Sequence, residues 1–209
     1  MSERHGLPPH VFTDDPGQWD SRGRVAVDVR QTAFAQGRQF RISYEYDVPE
    51  DENVVLRFES PIDFILQYEV LTCDDGSVRF RAYRSDDVTE SGDYDTDIPI
   101  FSNNAMNRVG GLSGQVSIKT GGDITPDSPP SSLQSLAVET MRIRTANANS
   151  HRASVSGACG GERGLFPGTY YLEIANIGNG KATGVLDLRW EEVPDDIGDW
   201  LDDEYGRYD

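Results

Sequence analysis

A chain of 209 residues with 36% hydrophobic and 10% aromatic residues carries enough apolar material for one large packed domain, which argues against full disorder. The formal net charge of −17 has the wrong sign for the basic footprint that neutralises phosphates, so nucleic acid is not an expected partner. Anionic membrane surfaces are disfavoured for the same reason, and with no run of about 18 apolar residues no transmembrane helix is expected.

Residues 1–22 are polar and interrupted by Pro8, Pro9, Pro16 and Gly17, which predicts an extended N-terminal arm. They lack the apolar core of a signal peptide. A β-domain is then predicted over 23–193. "RVAVDVR" sets Val25, Val27 and Val29 on one face. "RQFRISYEYDV" alternates Phe40, Ile42, Tyr44 and Tyr46 with Arg41, Ser43 and Glu45. Such alternation marks strands with one buried face. "NVVLRFES" follows the turn "PEDE". "DFILQYEVLTC" is more continuously apolar and suits a central strand. Its "DDG" predicts a hairpin into "SVRFRAYR", with Val78, Phe80 and Ala82 inward.

"SDDVTESGDYDTD" reads as a long acidic loop and "GGDITPDSPPSS" as a Gly/Pro-rich loop, with the short strand "QVSIKT" between them. "AVETMRIRT" and "RASVSG" are further strands. "ERGLFPGTYYLEIANIGNGKATGVLDLRWEE" is the clearest local signal and predicts a hairpin. Tyr170, Leu172 and Ile174 on one strand, and Leu186, Leu188 and Trp190 on the other, would share one core face. Glu173, Asp187, Arg189 and Glu191 would form the opposite face, toward solvent or a neighbour. Residues 194–209 form an acidic tail holding Trp200, Tyr205 and Tyr208, read equally as a solvated tail or as a segment that docks on a neighbour. Nine to eleven strands about ten residues apart predict an all-β fold: a single antiparallel β-sandwich, jelly-roll-like.

The chemistry-bearing residues form no recognisable constellation. His5, His10 and His151 have no metal-ligand spacing. No nucleophile motif or phosphate loop is present, so no catalytic residue is assigned and an enzyme is not expected. Among 36 acids a glycosidase pair has no diagnostic value. Asp86, Asp93, Asp95 and Asp97, with Asp87 and Glu90 beside them, are weak candidate Ca²⁺ ligands, because Ca²⁺ takes six to eight oxygens from flexible loops. The spacing does not match a Ca²⁺-loop motif, and a hydrated acidic loop is the favoured reading; no resident cofactor is expected. Trp19, Tyr94, Trp200 and Tyr205 are candidate contact aromatics, for a glycan or for neighbouring subunits. Cys73 and Cys159 read as two thiols in preference to a disulfide.

Two further signals concern context. Of 19 basic residues only Lys119 and Lys181 are lysines, leaving 17 arginines. High acid with almost no lysine suggests a protein of molar salt, where the Debye length falls to about 3 Å and screens self-repulsion. The succession "ESPIDFILQYEVLTCDDGSVRFRAYR", "IPIFSNNAMNR" and "ERGLFPGTYYLEIANIGNGKATGVLDLRWEE" resembles a family of small β-sandwich proteins of tailed viruses, the head-decorating or capsid-stabilising proteins. The resemblance covers residues 53 to 192. It implies a virion protein on the outer surface of the head. Its partners would be the major capsid protein, other virion subunits and further copies of itself as a homo-oligomer. With the composition, it implies a virus of a halophilic archaeon. The alternative function is a receptor- or glycan-binding module of a head fibre or tail tip.

Overall fold

The computed structural model describes residues 37–103, 114–129, 137–145, 153–156 and 163–193. The arm, the strand predicted at "RVAVDVR" and the acidic tail lie outside them, as do all three histidines and Cys159. The described chain is all-β, with fourteen strands and one short 3-10 turn at Ser85–Asp87. The longest strands are β1 (Gln39–Val48), β2 (Asn53–Ser60), β3 (Phe64–Asp75), β4 (Ser77–Arg84), β13 (Gly168–Asn176) and β14 (Ala182–Glu192). Shorter strands are β5 (Val88–Ser91), β6 (Thr96–Asp97), β7 (Phe101–Ser102), β8 (Ser117–Thr120), β9 (Asp123–Pro126), β10 (Glu139–Arg144), β11 (Ala153–Ser156) and β12 (Arg163–Leu165).

These strands form two six-stranded antiparallel sheets and a two-stranded ribbon. The first sheet runs β11-β3-β14-β1-β7, with β12 also on the outer edge of β3; the second runs β10-β4-β13-β2-β8-β6. Side chains from both sheets meet in one core, including Phe40, Ile42, Leu71, Leu186, Leu188 and Trp190 from the first and Leu56, Phe58, Phe80, Met141, Leu172 and Ile174 from the second. The period-2 alternation therefore reported the inward faces correctly. Trp190 lies edge-on to Phe58 with ring centroids 5.5 Å apart, and Phe64 edge-on to Tyr170 at 5.7 Å, so aromatic contacts join the sheets.

Both predicted hairpins are corrected. β13 pairs with β2 and β4, whereas β14 pairs with β1 and β3, so the "NIGNG" turn carries the chain from one sheet to the other. The "DDG" turn does the same between β3 and β4, and "PEDE" between β1 and β2. The reason is packing. Two strands that each bury one apolar face can meet side by side in one sheet or face to face across a core, and the same alternation serves both. Here the inward triplets Tyr170/Leu172/Ile174 and Leu186/Leu188/Trp190 come from opposite sheets.

The three arches stack at one end of the sandwich. Asn176 ties the β1–β2 and β13–β14 arches together. Its Nδ2 lies 3.0 Å from the Val48 carbonyl, 2.9 Å from that of Pro49 and 2.7 Å from that of Gly180, while its Oδ1 accepts from the Gly178 amide at 2.9 Å. Gly76, at φ +86°, closes the β3–β4 arch against Ala182, whose Cα would lie 2.9 Å from any added Cβ. A side chain is therefore excluded at Gly76 both by space and by backbone conformation.

The two predicted loops also pair. β5, from the acidic stretch, and β9, from the Gly/Pro-rich one, form the ribbon. Val88, Tyr94 and Ile124 are buried there with Val55, Tyr83 and Tyr171, which belong to the outward side of the second sheet. Each ribbon strand is four residues long and contributes one buried apolar side chain, too little for a periodic signal.

Candidate functional site

The residues expected at a contact face are dispersed by the sheet assignment. Trp19, Trp200 and Tyr205 lie outside the described residues. Asp187 and Arg189 are on the outer side of the first sheet, half-buried and exposed respectively, and the Arg189 guanidinium lies 5.6 Å from the Tyr68 ring centroid. Glu173 is on the outer side of the second sheet and is 7% exposed. The single outward face predicted from a hairpin is thus two opposite faces. Glu191 is also buried: Arg38 donates to its Oε1 at 3.2 Å and Gln67 to its Oε2 at 3.1 Å.

Tyr94, expected as an exposed ring, is 9% exposed. It packs on Tyr171 with centroids 5.9 Å apart and on Gly122, where a Cβ would overlap the ring. Its hydroxyl donates to the Asp123 carbonyl at 3.2 Å. Burial, then Glu90 and Asp123, push its pKa up to about 12 against the opposing pull of Arg57. Beside it the Tyr171 hydroxyl donates to Glu90, and Arg57 stands 3.8 Å from the same carboxylate. The arrangement pins the ribbon to the sheet.

Asp86, Asp93, Asp95 and Asp97 are all exposed. Asp95 accepts from the Thr96 hydroxyl and Asp97 lies 3.7 Å from the Lys119 ammonium. Among the described residues no group of three or more His, Cys, Asp or Glu stands where it could hold a metal ion. Cys73 is a buried free thiol, its pKa raised chiefly by burial.

A titratable cluster absent from the sequence reading lies at the open edge of the sandwich. Glu69 is 5% exposed and projects from the core side of β3, where it is opposite Leu188. It meets Glu139 of β10 and Arg163 of β12, so one cluster links both sheets. Arg163 donates to Glu139 and its Nη2 lies 3.9 Å from Glu69 Oε2, which has no hydrogen-bond partner. Burial, then the neighbouring Glu139, raise the Glu69 pKa to about 8, with Arg163 pulling the other way. The group therefore holds a proton at neutral pH. The three side chains line a cavity of about 50 Å³ whose other walls include Phe58, Phe64, Leu66, Tyr170 and Leu188. That volume suits a water or two, not a sugar ring. The cluster can store a proton and couple strands.

On the outer side of the second sheet, Arg79 and Arg81 of β4 stand beside Arg142 and Arg144 of β10, and the register sets Arg142 against Arg79. Their neighbours Val78, Phe80, Met141 and Ile143 enter the core, so alternation turns the arginines outward. This row carries the sign opposite to the net charge of the whole chain. Comparison with family models, with curated proteins and with solved structures finds no match to this chain.

Proposed function

We propose that the chain is a non-enzymatic structural subunit of a tailed-virus particle, from a virus of a halophilic archaeon. In this reading it sits on the outer surface of the head and binds the major capsid protein, other virion subunits and neighbouring copies of itself. The observation that carries the reading is the strand order. β1, β14, β3 and β11 in one sheet, and β2, β13, β4 and β10 in the other, have the leading strands alternating between sheets, as a jelly roll would. That order supports the jelly-roll form of the sandwich, a form that viral shells use repeatedly. The resemblance of residues 53–192 to head-decorating proteins points the same way. In this reading residues 1–22 and 194–209 serve as tethers to neighbouring subunits.

Jelly rolls also serve as lectins, and the exposed Tyr68 ring beside Arg189 favours glycan recognition as a second reading. The test is co-sedimentation of the purified full chain, in molar salt, with capsid shells that lack it. Saturable binding is expected. No binding to shells, together with glycan-array signal lost in Tyr68→Ala, would replace the first reading by the second. No cofactor takes part. A thermal midpoint lowered by a chelator and restored by Ca²⁺ would contradict that.

A further inference from the structure

We infer that the arginine row on the outer side of the second sheet is the docking surface for the acidic C-terminal segment, residues 195–209, of a neighbouring copy. The inference rests on the assembly reading above and names its contact. Arg79 and Arg142 face each other directly across β4 and β10, with Arg81 and Arg144 in the same outward row. Among the described residues none of the four forms an ion pair. The Nε atoms of Arg79 and Arg81 are buried without hydrogen-bond partners. The acid nearest in register, Glu173 opposite Arg81, has an unpartnered Oε2 of its own. Like charges placed directly opposite on adjacent strands repel. A chain of net −17 thus concentrates four cations on one strip, with no ion pair to any of them among the described residues.

The complementary chemistry lies in the same sequence. "DDIGDWLDDEYGRYD" carries seven acids against Arg207, together with Trp200, Tyr205 and Tyr208. Guanidinium groups bind carboxylates through forked hydrogen bonds and stack on aromatic rings, so a segment holding both suits a row of arginines better than a row of lysines. Under the assembly reading the segment comes from a neighbouring copy, the end of β14 and the arginine row standing at opposite ends of the sheets. β14 ends at Glu192 beside Phe64 of β3, in the first sheet. Arg79 and Arg144 lie near the arch end of the second sheet, beside Ser77 and Asn176. The two ends are separated by the length of β14, eleven residues or about 35 Å. Donor and acceptor at opposite ends produce a head-to-tail contact, which closes into rings or extends along a surface.

The test uses full-length chains in sedimentation at one fixed salt concentration. An acceptor variant, Arg79→Glu with Arg142→Glu, and a donor variant, Asp202→Lys with Asp203→Lys, should each weaken self-association at least tenfold while keeping the wild-type thermal midpoint. An equimolar mixture of the two variants should recover association, because reversed acceptor meets reversed donor. A synthetic peptide of residues 194–209 should bind the wild-type chain and compete with its association, which keeps the inference testable if the acceptor variant fails to fold. Wild-type association unchanged in both variants, with no peptide binding, would overturn this inference and leave the assembly reading intact. A wild-type chain that stays monomeric on shells and in solution would overturn the assembly reading itself. Binding of an unrelated polyanion but not of the peptide would assign the row to another partner and overturn the inference.

Discussion

Glu69 makes the clearest case at the residue scale. Its carboxyl titrates near pH 4.5 when unfolded and is raised to about 8 in the fold, so between those values the folded chain binds the extra proton. Its contribution to stability is fully present below about pH 4.5 and is lost as pH rises toward 8. Glu139 and Arg163 are the charged groups that face it. Glu69→Gln keeps the shape and cannot ionise. In denaturant titrations at pH 5 and pH 8 the wild type should lose stability relative to the variant, by on the order of 1–3 kcal/mol. Parallel pH profiles would exclude a titrating Glu69. Asn176→Ala removes the side chain that satisfies Val48, Pro49 and Gly180 carbonyls at the arches, and should cost about 2–4 kcal/mol in the same assay. A loss under 0.5 kcal/mol would show that the arches hold without it.

The arch is the element that separates this fold from its local sequence signals. β13 and β14 show alternating patterns and the turn between them, "NIGNG", has hairpin composition, yet they lie in different sheets. Sheets pack about 10 Å apart, roughly twice the spacing of paired strands, and in this arch the five residues 177–181 cross that gap. Replacing residues 177–181 by Asn-Gly should abolish the cooperative thermal transition. A hairpin would tolerate that change, and retained cooperativity would contradict the crossing. Leu188→Asp places a charge in the core between the sheets and should also unfold the domain, read by loss of the near-ultraviolet signal.

These elements show what the sequence discloses and what it does not. Alternation exposed the inward faces of β1, β4, β13 and β14 because one side of each meets the core along its length. It could not assign strands to sheets, since the partner across the core and the partner alongside impose the same period. The β5–β9 ribbon was hidden by brevity. Glu69, Glu173, Glu191 and Glu192 were hidden by their chemistry, because an acid reads as solvent-facing until its partners are known. Glu192 accepts from the backbone amides of Gln115 and Val116 at 2.9 and 3.1 Å, contacts between segments 76 and 77 residues apart that no local pattern announces.

The whole molecule is governed by its charge. A net −17 on 209 residues opposes compaction unless counter-ions screen it, and molar salt shortens the screening length to about 3 Å. Dialysis into dilute buffer should therefore unfold the chain, and circular dichroism should show the fold regained on adding salt. Unchanged stability in dilute buffer would remove the halophilic reading while leaving the sandwich untouched. Against that acidity the arginine row is the surface proposed to meet a neighbouring copy. The most direct test of that role is to count the chain in purified virus particles by quantitative mass spectrometry, with and without protease treatment of the intact surface. The account predicts hundreds of copies per particle, accessible from outside; absence from particles, or a handful of copies confined to the tail, would contradict it.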